Sequence, residues 1–277
     1  MKIVNKIIKQ TINNLKFKIN LDKQETKLKK LEDLFNYFGT DKGSKSLNSY
    51  SKLKNKKLFK GHNFAKFYEK HCKQFKKEKI NILEIGVWEG ASTASFYHYF
   101  KNAQFFSIDR NFKFKYSSKR INFFYCDTTS RKDLSELKNF FKKKKVSSFD
   151  IIIDDGSHIL SNILKNLIFF FNYLKPGGIY VVEDYKHPNY YSYLNDAKNH
   201  PLIDKVLFFL KKKKLFKSKI LSQKQIIFLI NQIKYIFTHK GSCLEMKKNI
   251  SDIAFLYKKN LNKSKKRKNI EVNKIDK

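Results

Sequence analysis

Ile80-Asn81-Ile82-Leu83-Glu84-Ile85-Gly86-Val87-Trp88-Glu89-Gly90-Ala91-Ser92, continuing to Phe105-Phe106-Ser107-Ile108-Asp109, decides how the rest of the chain reads. Ile80, Ile82, Leu83 and Ile85 form a short, almost continuous apolar run, the pattern of a parallel strand covered on both faces. Gly86 and Gly90 bracket a tight turn into Ala91–Phe100, whose apolar spacing suits a helix. Gln104–Ile108 is the next strand, and Asp109 stands at its carboxyl end. Ligands of open α/β sheets bind at that end, where strand order reverses, and an acid there can accept hydrogen bonds from a ribose diol. A nucleoside-containing cofactor follows as the first expectation.

The turn narrows the choice of nucleoside. Dinucleotide sites use G-x-G-x-x-G to bring a pyrophosphate onto a helix N-terminus. Here Trp88 replaces the middle glycine, and Glu84 and Glu89 place two negative charges beside the turn. These would repel a pyrophosphate but suit a sulfonium with an amino-acid tail. Glu84-Ile85-Gly86-Val87-Trp88-Glu89-Gly90 resembles motif I of the class I S-adenosylmethionine-dependent methyltransferases.

Working outward, residues 31–78 predict a helical cap. Leu31-Glu32-Asp33-Leu34-Phe35-Asn36-Tyr37-Phe38 ends at Gly39, and Thr40-Asp41-Lys42-Gly43-Ser44 begins a polar loop. Phe64, Phe67, Tyr68 and His71 share a second helical face. His62 and Tyr68 are either packing residues or part of a lid over the cofactor and acceptor. Residues 1–30 place Ile3, Ile7, Ile8, Ile12, Leu15 and Ile19 on one face, which predicts a basic amphipathic helix, either packed locally or laid on an anionic membrane surface or a partner. Residues 79–260 form the catalytic domain. Strands at Ile121–Tyr125, Phe149–Ile153 and Ile179–Val182 alternate with helices at 131–144 and 160–174, the second halted by Leu174-Lys175-Pro176-Gly177-Gly178. That alternation predicts α/β architecture with a mostly parallel sheet. Ile233–His239 and Ser251–Lys258, joined through Gly241, read as an antiparallel pair. Residues 261–277 are charged, aperiodic and expected to be disordered.

Composition sets bounds. The 277 residues suit one α/β domain with extensions, and 41% hydrophobic content supports a sizeable core. The chain has no apolar run of 18 residues and no compact signal-peptide core, and Cys72, Cys126 and Cys243 stand far apart, so a reduced cytoplasmic protein is expected. The formal charge of +36 raises the question of nucleic acid, but 56 of the 60 basic residues are lysine. Specific nucleic-acid sites favour the planar fork of arginine. Compositional drift explains the lysine better, with an anionic partner as the weaker reading.

A second constellation discriminates further. Asp154, Asp155 and His158 leave the end of one strand, and Glu183 and Asp184 leave the end of the next. Neighbouring strands would bring these ends about 5 Å apart. Four carboxylates gathered there would repel one another unless protonated or compensated. A hard divalent cation held by oxygen ligands, Mg²⁺ or Ca²⁺, would resolve the repulsion. The alternative is that these acids serve as caps and loop formers.

With Gly39-Thr40-Asp41-Lys42-Gly43, His62-Asn63-Phe64, Asp154-Asp155-Gly156-Ser157-His158 and Leu174-Lys175-Pro176-Gly177-Gly178-Ile179-Tyr180-Val181-Val182-Glu183-Asp184, the chain resembles the Mg²⁺-dependent sugar O-methyltransferases of macrolide and rhamnosyl natural-product pathways over about residues 35–260. The cephalosporin-hydroxylase-like methyltransferases are a looser relative. The resemblance implies a Rossmann-like, seven-stranded class I fold. It implies S-adenosylmethionine held by Glu84, Gly86, Gly90, Asp109 and Asp127, with Asp154 as a further cofactor candidate. It implies Mg²⁺ on Asp155, Glu183 and Asp184, with His158 and Asp155 as the catalytic pair and His158 as proton acceptor. The acceptor would be a hydroxyl of a sugar, glycosylated small molecule or polysaccharide. The loop after Tyr185, with His187-Pro188 and several tyrosines, departs from the family pattern. The rivals are an RNA methyltransferase drawn to its substrate by lysine charge, and a non-catalytic scaffold on an anionic surface. A homo-oligomer is compatible with all three.

Overall fold

The computed structural model describes residues 18–47, 58–245 and 248–260. In chain order the elements are β1 (Ile19–Asn20), α1 (Leu31–Phe38), β2 (Lys45–Leu47), β3 (Leu58–Lys60), α2 (Ala65–Cys72), β4 (Asn81–Ile85), α3 (Ala91–Tyr99), β5 (Gln104–Asp109), β6 (Tyr116–Ser117) and β7 (Ile121–Tyr125). They continue with α4 (Arg131–Lys143), β8 (Phe149–Asp154), α5 (Leu160–Phe171), β9 (Leu174–Glu183), α6 (His187–Tyr190), α7 (Ile203–Lys211), α8 (Gln223–Gln232), β10 (Ile233–Lys240), β11 (Leu244–Glu245), β12 (Lys248–Asn249) and β13 (Asp252–Lys258).

Seven strands make the central sheet, in the order β10-β13-β9-β8-β4-β5-β7. The run from β9 to β7 is parallel, whereas β13 lies antiparallel between β9 and β10. Successive crossovers from β4 go one way to β5 and β7 and the other way to β8 and β9. The switch point therefore lies between β4 and β8, and a crevice opens beyond their carboxyl ends.

The pleat explains which side chain faces what. Leu83, Phe106, Ile152, Tyr180 and Val182 point to one face, where α4, α5, α7 and α8 cover them. Ile82, Phe105, Ile151, Ile153, Ile179 and Val181 point to the other, under α1, α2 and α3. Each such side chain gains about 1.5–3 kcal/mol from burial, so a one-residue slip in any strand is strongly disfavoured. By the same alternation, Glu84 and Glu183 lie on the α1–α3 face with Ile82 and Val181, and Asp154 lies on the opposite face with Tyr180.

Two expectations change. The helix expected over 160–174 ends at Phe171, and the strand expected at Ile179–Val182 begins already at Leu174: β9 runs through the Leu174–Gly178 segment, with a register shift against β8 between Phe149 and Ile151. The helix expected over residues 1–30 lies outside the described residues up to residue 17, and the remainder is not helical. Ile19 and Asn20 pair with Tyr116 and Ser117, and Leu21–Lys23 makes a single 3₁₀ turn. Asp22 accepts from Tyr97 Oη (2.8 Å), Ser118 Oγ (2.7 Å) and Lys119 N (2.8 Å), so tertiary hydrogen bonds override local helical spacing. The tail expected to be disordered, 261–277, lies outside the described residues. Among the described residues, no helix is long and apolar enough to cross a membrane, and the three cysteines are free.

Candidate active site

The glycine turn after β4 is built by close approach. Gly86 has φ +82°, and a Cβ there would stand 2.0 Å from the Asp155 carbonyl oxygen, so only glycine fits. Gly90 (φ +91°) caps α3, and its Cβ would strike the Phe114 ring at 2.5 Å. Trp88, at φ +49°, donates its backbone N–H to Asp109 Oδ2 at 2.7 Å. Asp109 Oδ1 accepts from the backbone and side chain of Asn111 at 2.9 and 2.6 Å. Burial lifts the Asp109 carboxyl against these donors. The acid at the end of β5 thus ties the glycine loop to the neighbouring strand, and a carboxylate has acceptor sites left for a ligand diol.

Glu84 sits under the start of α3. Ser92 Oγ and Thr93 Oγ1 each donate to one of its oxygens at 2.5 Å. Burial raises its pKa; Lys42 and the two hydroxyls oppose the rise. Its charge lies where the helix dipole favours an anion.

Asp155 and Glu183 do converge, as the strand order requires, and the group between them is a lysine. Lys42 is 1% exposed. Its Nζ donates to Asp155 Oδ2 at 2.5 Å and to Glu183 Oε2 at 2.7 Å. Glu183 Oε1 accepts from Tyr68 Oη. Burial alone would lower the ammonium, but Asp155 and Glu183 hold it well above its ordinary value. Burial lifts Glu183 to about 8, with Lys42 opposing. The Gly39–Ser44 loop aims this lysine because the next segment of chain clamps it: His62 N donates to Asp41 O (2.7 Å), Asn63 N to Gly43 O (2.9 Å) and Phe64 N to Lys42 O (2.8 Å).

Asp184 is compensated differently. His62 Nδ1 stands 3.3 Å from its Oδ1 and hydrogen-bonds Ser251 Oγ at 2.7 Å. Burial alone would lower the His62 imidazole, but Asp184 overrides it and lifts it to about 10. Burial would likewise raise Asp184, yet His62 holds it well below the carboxylate range. Asp184 Oδ1 is nonetheless buried without a hydrogen-bond partner. His158, at φ +54°, has Nε2 3.7 Å from Asp155 Oδ1, and its ring lies 4.8 Å from that of His187.

Two sequence candidates sit apart from this lip. Asp154 is 3% exposed and turned to the opposite sheet face, where Tyr180 Oη (3.0 Å) and Asn166 Nδ2 (3.3 Å) donate to it. Burial raises it to about 6. Pleat parity gives it a core position. Asp127 accepts from Thr129 N (2.9 Å) and Oγ1 (2.7 Å), closing the turn before α4 at the far strand β7. The sequence left His62 and Tyr68 as either packing residues or part of a lid, without their partners, and did not single out Lys42. Its one signal is its setting: a lone lysine between Gly39 and Gly43, unlike the lysine runs elsewhere.

Residues 83–185 match the family model of a methyltransferase domain. Over 130 residues, 44% of the chain, the sequence is 31% identical to demethylmacrocin O-methyltransferase of Streptomyces fradiae and 29% identical to mycinamicin VI 2''-O-methyltransferase of Micromonospora griseorubida. These matches cover 32% and 31% of the relatives, so the chain matches about a third of their length. A methyltransferase of the mycinamycin biosynthetic pathway, solved with Mg, SAH and mycinamycin VI, superposes with TM-score 0.60 at 21% identity over 86% of this chain and 56% of that one. The strand order and glycine turn are those of the class I methyltransferase fold, and residues 83–185 carry the likeness to a methyltransferase domain. A further relative, 29% identical over 130 residues and covered to 33% of its length, is 8-demethyl-8-alpha-L-rhamnosyl tetracenomycin-C 2'-O-methyltransferase of Streptomyces olivaceus.

Proposed function

We propose that the protein transfers the methyl group of S-adenosylmethionine to a hydroxyl of a sugar or glycosylated molecule. The observation that carries this reading is the adjacency at one sheet edge of a ligand turn (Glu84, Gly86, Gly90, Asp109) and an acid–imidazole lip (Asp155, His158, Glu183, Asp184). The first suits a nucleoside with a cationic sulfur, and Glu84 and Glu89 supply the negative field. The second suits an acceptor that must lose a proton. The acceptor oxygen attacks the methyl carbon as the carbon–sulfur bond breaks, releasing S-adenosylhomocysteine, and the hydroxyl proton passes to an imidazole. His158, beside Asp155, is the proposed proton acceptor. Much of the acceleration would come from holding the two reactants in line.

A divalent cation is the proposed second cofactor. Asp184 fits it, having a buried oxygen with no hydrogen-bond partner, and Asp155 can offer Oδ1. Glu183 instead gives both oxygens to Tyr68 and Lys42. When bound, such an ion would acidify and orient a coordinated hydroxyl. Calorimetry with S-adenosylmethionine, then release of S-adenosylhomocysteine across a panel of nucleotide sugars and glycosides, tests the proposal. Asp155→Asn should abolish transfer and leave cofactor affinity within about twofold. Equal loss of cofactor affinity would move Asp155 out of the acceptor lip.

A further inference from the structure

We infer that the outer surface of the α7–α8 helical pair docks on an anionic lipid bilayer. From Lys205 to Leu244 the chain carries ten lysines, no arginine and no acid, the longest acid-free stretch in the sequence. All ten lysines are exposed. Among the described residues, the ion pairs of lysine fall elsewhere, at Lys42, Lys115, Lys175 and Lys186. Drift toward lysine raises the count along the whole chain, but it does not clear one region of acids. The result is a concentrated positive field with no internal counter-charge.

The same surface exposes large apolar side chains: Phe208 (53%), Leu215 (54%) and Ile227 (42%). Helix α7 buries Ile203, Val206, Leu207 and Leu210 against the sheet, which turns Lys205, Phe208, Lys211 and Lys212 outward. Helix α8 buries Ile226 and Leu229 against the same core and turns Lys224 and Ile227 outward. The connection that carries Leu215 is tied at several points. Lys213, at φ +56°, donates from Nζ to Ile230 O at 2.8 Å and to Ile233 O, satisfying carbonyls at the end of α8. Phe216 stacks on Phe209 with centroids 5.6 Å apart. Ser218 Oγ, 2.6 Å from His200 Nε2, accepts from Ile220 N at 3.1 Å and Leu221 N at 2.9 Å. Leu215 therefore stands outward on an anchored loop, between Lys214 and Lys217.

Charge and shape together choose the partner. Ammonium groups around protruding apolar side chains suit a bilayer interface: the charges meet lipid phosphates while the apolar tips enter the headgroup–acyl boundary. Single-stranded RNA is bound instead by aromatic rings and arginine planes that stack on bases. Here two of the three protruding side chains are aliphatic and arginine is absent from the stretch. The anchored loop also lies away from the acid lip. Ile233, which holds Lys213, pairs with Lys258 at one end of β13, whereas Glu183 pairs with Ile253 at the other. The docking claim does not depend on methyl transfer, and its test uses neither donor nor acceptor.

Full-length protein is co-sedimented with phosphatidylcholine vesicles that contain about one quarter phosphatidylglycerol, and with pure phosphatidylcholine vesicles, at about 0.1 M salt. Binding should be at least about tenfold tighter to the anionic vesicles. Phe208→Ser/Leu215→Asn should weaken it by about tenfold or more, and so should Lys211→Gln/Lys212→Gln, each with the unfolding midpoint unchanged. Both variants leave residues 1–17 and 261–277 as they are, so their effect reports this surface alone. Lys143→Gln/Lys144→Gln, at the exposed end of α4, should change binding by less than about twofold. A mixed-sequence single-stranded RNA is titrated in parallel. Equal binding to neutral vesicles, anionic-vesicle binding untouched by either patch variant, or RNA bound through Lys211 and Lys212 while vesicles are not, overturns the inference.

Discussion

Lys42→Met removes the one positive charge between Asp155 and Glu183 while keeping the length of the side chain. Two contacts of 2.5 and 2.7 Å are lost at a site where the lysine is 1% exposed. A charge pair about 4 Å apart is worth about 4 kcal/mol at an effective dielectric of about 20. Deleting one partner of a buried pair costs about 3–5 kcal/mol, a large share of a typical stability of about 5–15 kcal/mol. Relief is available by protonation, since burial already holds Glu183 near 8. Without Lys42, whose charge opposes the rise, the Glu183 carboxyl would titrate still further above its value in the unfolded chain. Stability would then be retained at low pH and lost as pH rises through the folded value, so the deficit should be larger at pH 8 than at pH 5. Urea unfolding at both pH values measures it. The double variant Lys42→Met/Glu183→Gln should be more stable than the sum of the two single losses by about 1 kcal/mol or more. A deficit at pH 8 below about 0.5 kcal/mol, or additive single losses, would refute the reasoning.

Three further outcomes are expected. Gly86→Ala, forced against the Asp155 carbonyl at φ +82°, should cost about 2–4 kcal/mol in urea unfolding and weaken S-adenosylmethionine in calorimetry, whereas Gly156→Ala, whose nearest neighbour is at 3.1 Å, should cost much less. Burial depresses His71 and His98 to about 4, helped by His239 and Lys70 for the first and by Lys101 and Arg120 for the second. Both are neutral in the fold but take up protons near pH 6.5 when unfolded. Their contribution is therefore complete above about pH 6.5 and lost as pH falls toward about 4, by up to about 3 kcal/mol each. Urea midpoints between pH 7.5 and 4.5 should fall, and His71→Gln/His98→Gln should flatten the fall. Asp22→Ala should raise amide exchange at Ile19 and in the Leu21–Lys23 turn while leaving β4 unaffected, since it cuts three hydrogen bonds that hold only that segment.

The parts of the fold readable in the sequence are those where one signal decides. Apolar runs at 80–85, 149–153 and 179–182 could only be doubly covered strands, and the acids closing them had to meet once β8 and β9 were neighbours. Repulsion among those acids was also readable, but not its remedy. An external cation and an internal lysine solve the same electrostatic problem, and 56 lysines hide the one that matters. Asp154 and Asp155 are adjacent in sequence, yet the pleat sends one to Tyr180 and the other to Lys42. Only strand parity, fixed by packing, separates them. The helix expected at residues 18–30 failed because spacing cannot show that Asp22 will find Tyr97 and Ser118 some 75 to 96 positions away.

The clamp that aims Lys42 also sets an order of assembly. Synthesis delivers the lysine first, whereas its partners emerge 113 and 141 residues later. Strand β9, which carries the second partner, is flanked on its outer side by β13, near the end of the described chain. During translation the nascent domain therefore holds an unpaired ammonium at one end and unpaired acids at the other. The contacts of Lys42 can form only once β8 and β9 have been made and the Gly39–Ser44 loop has docked on them, so they report the assembly of the N-terminal cap with the centre of the sheet.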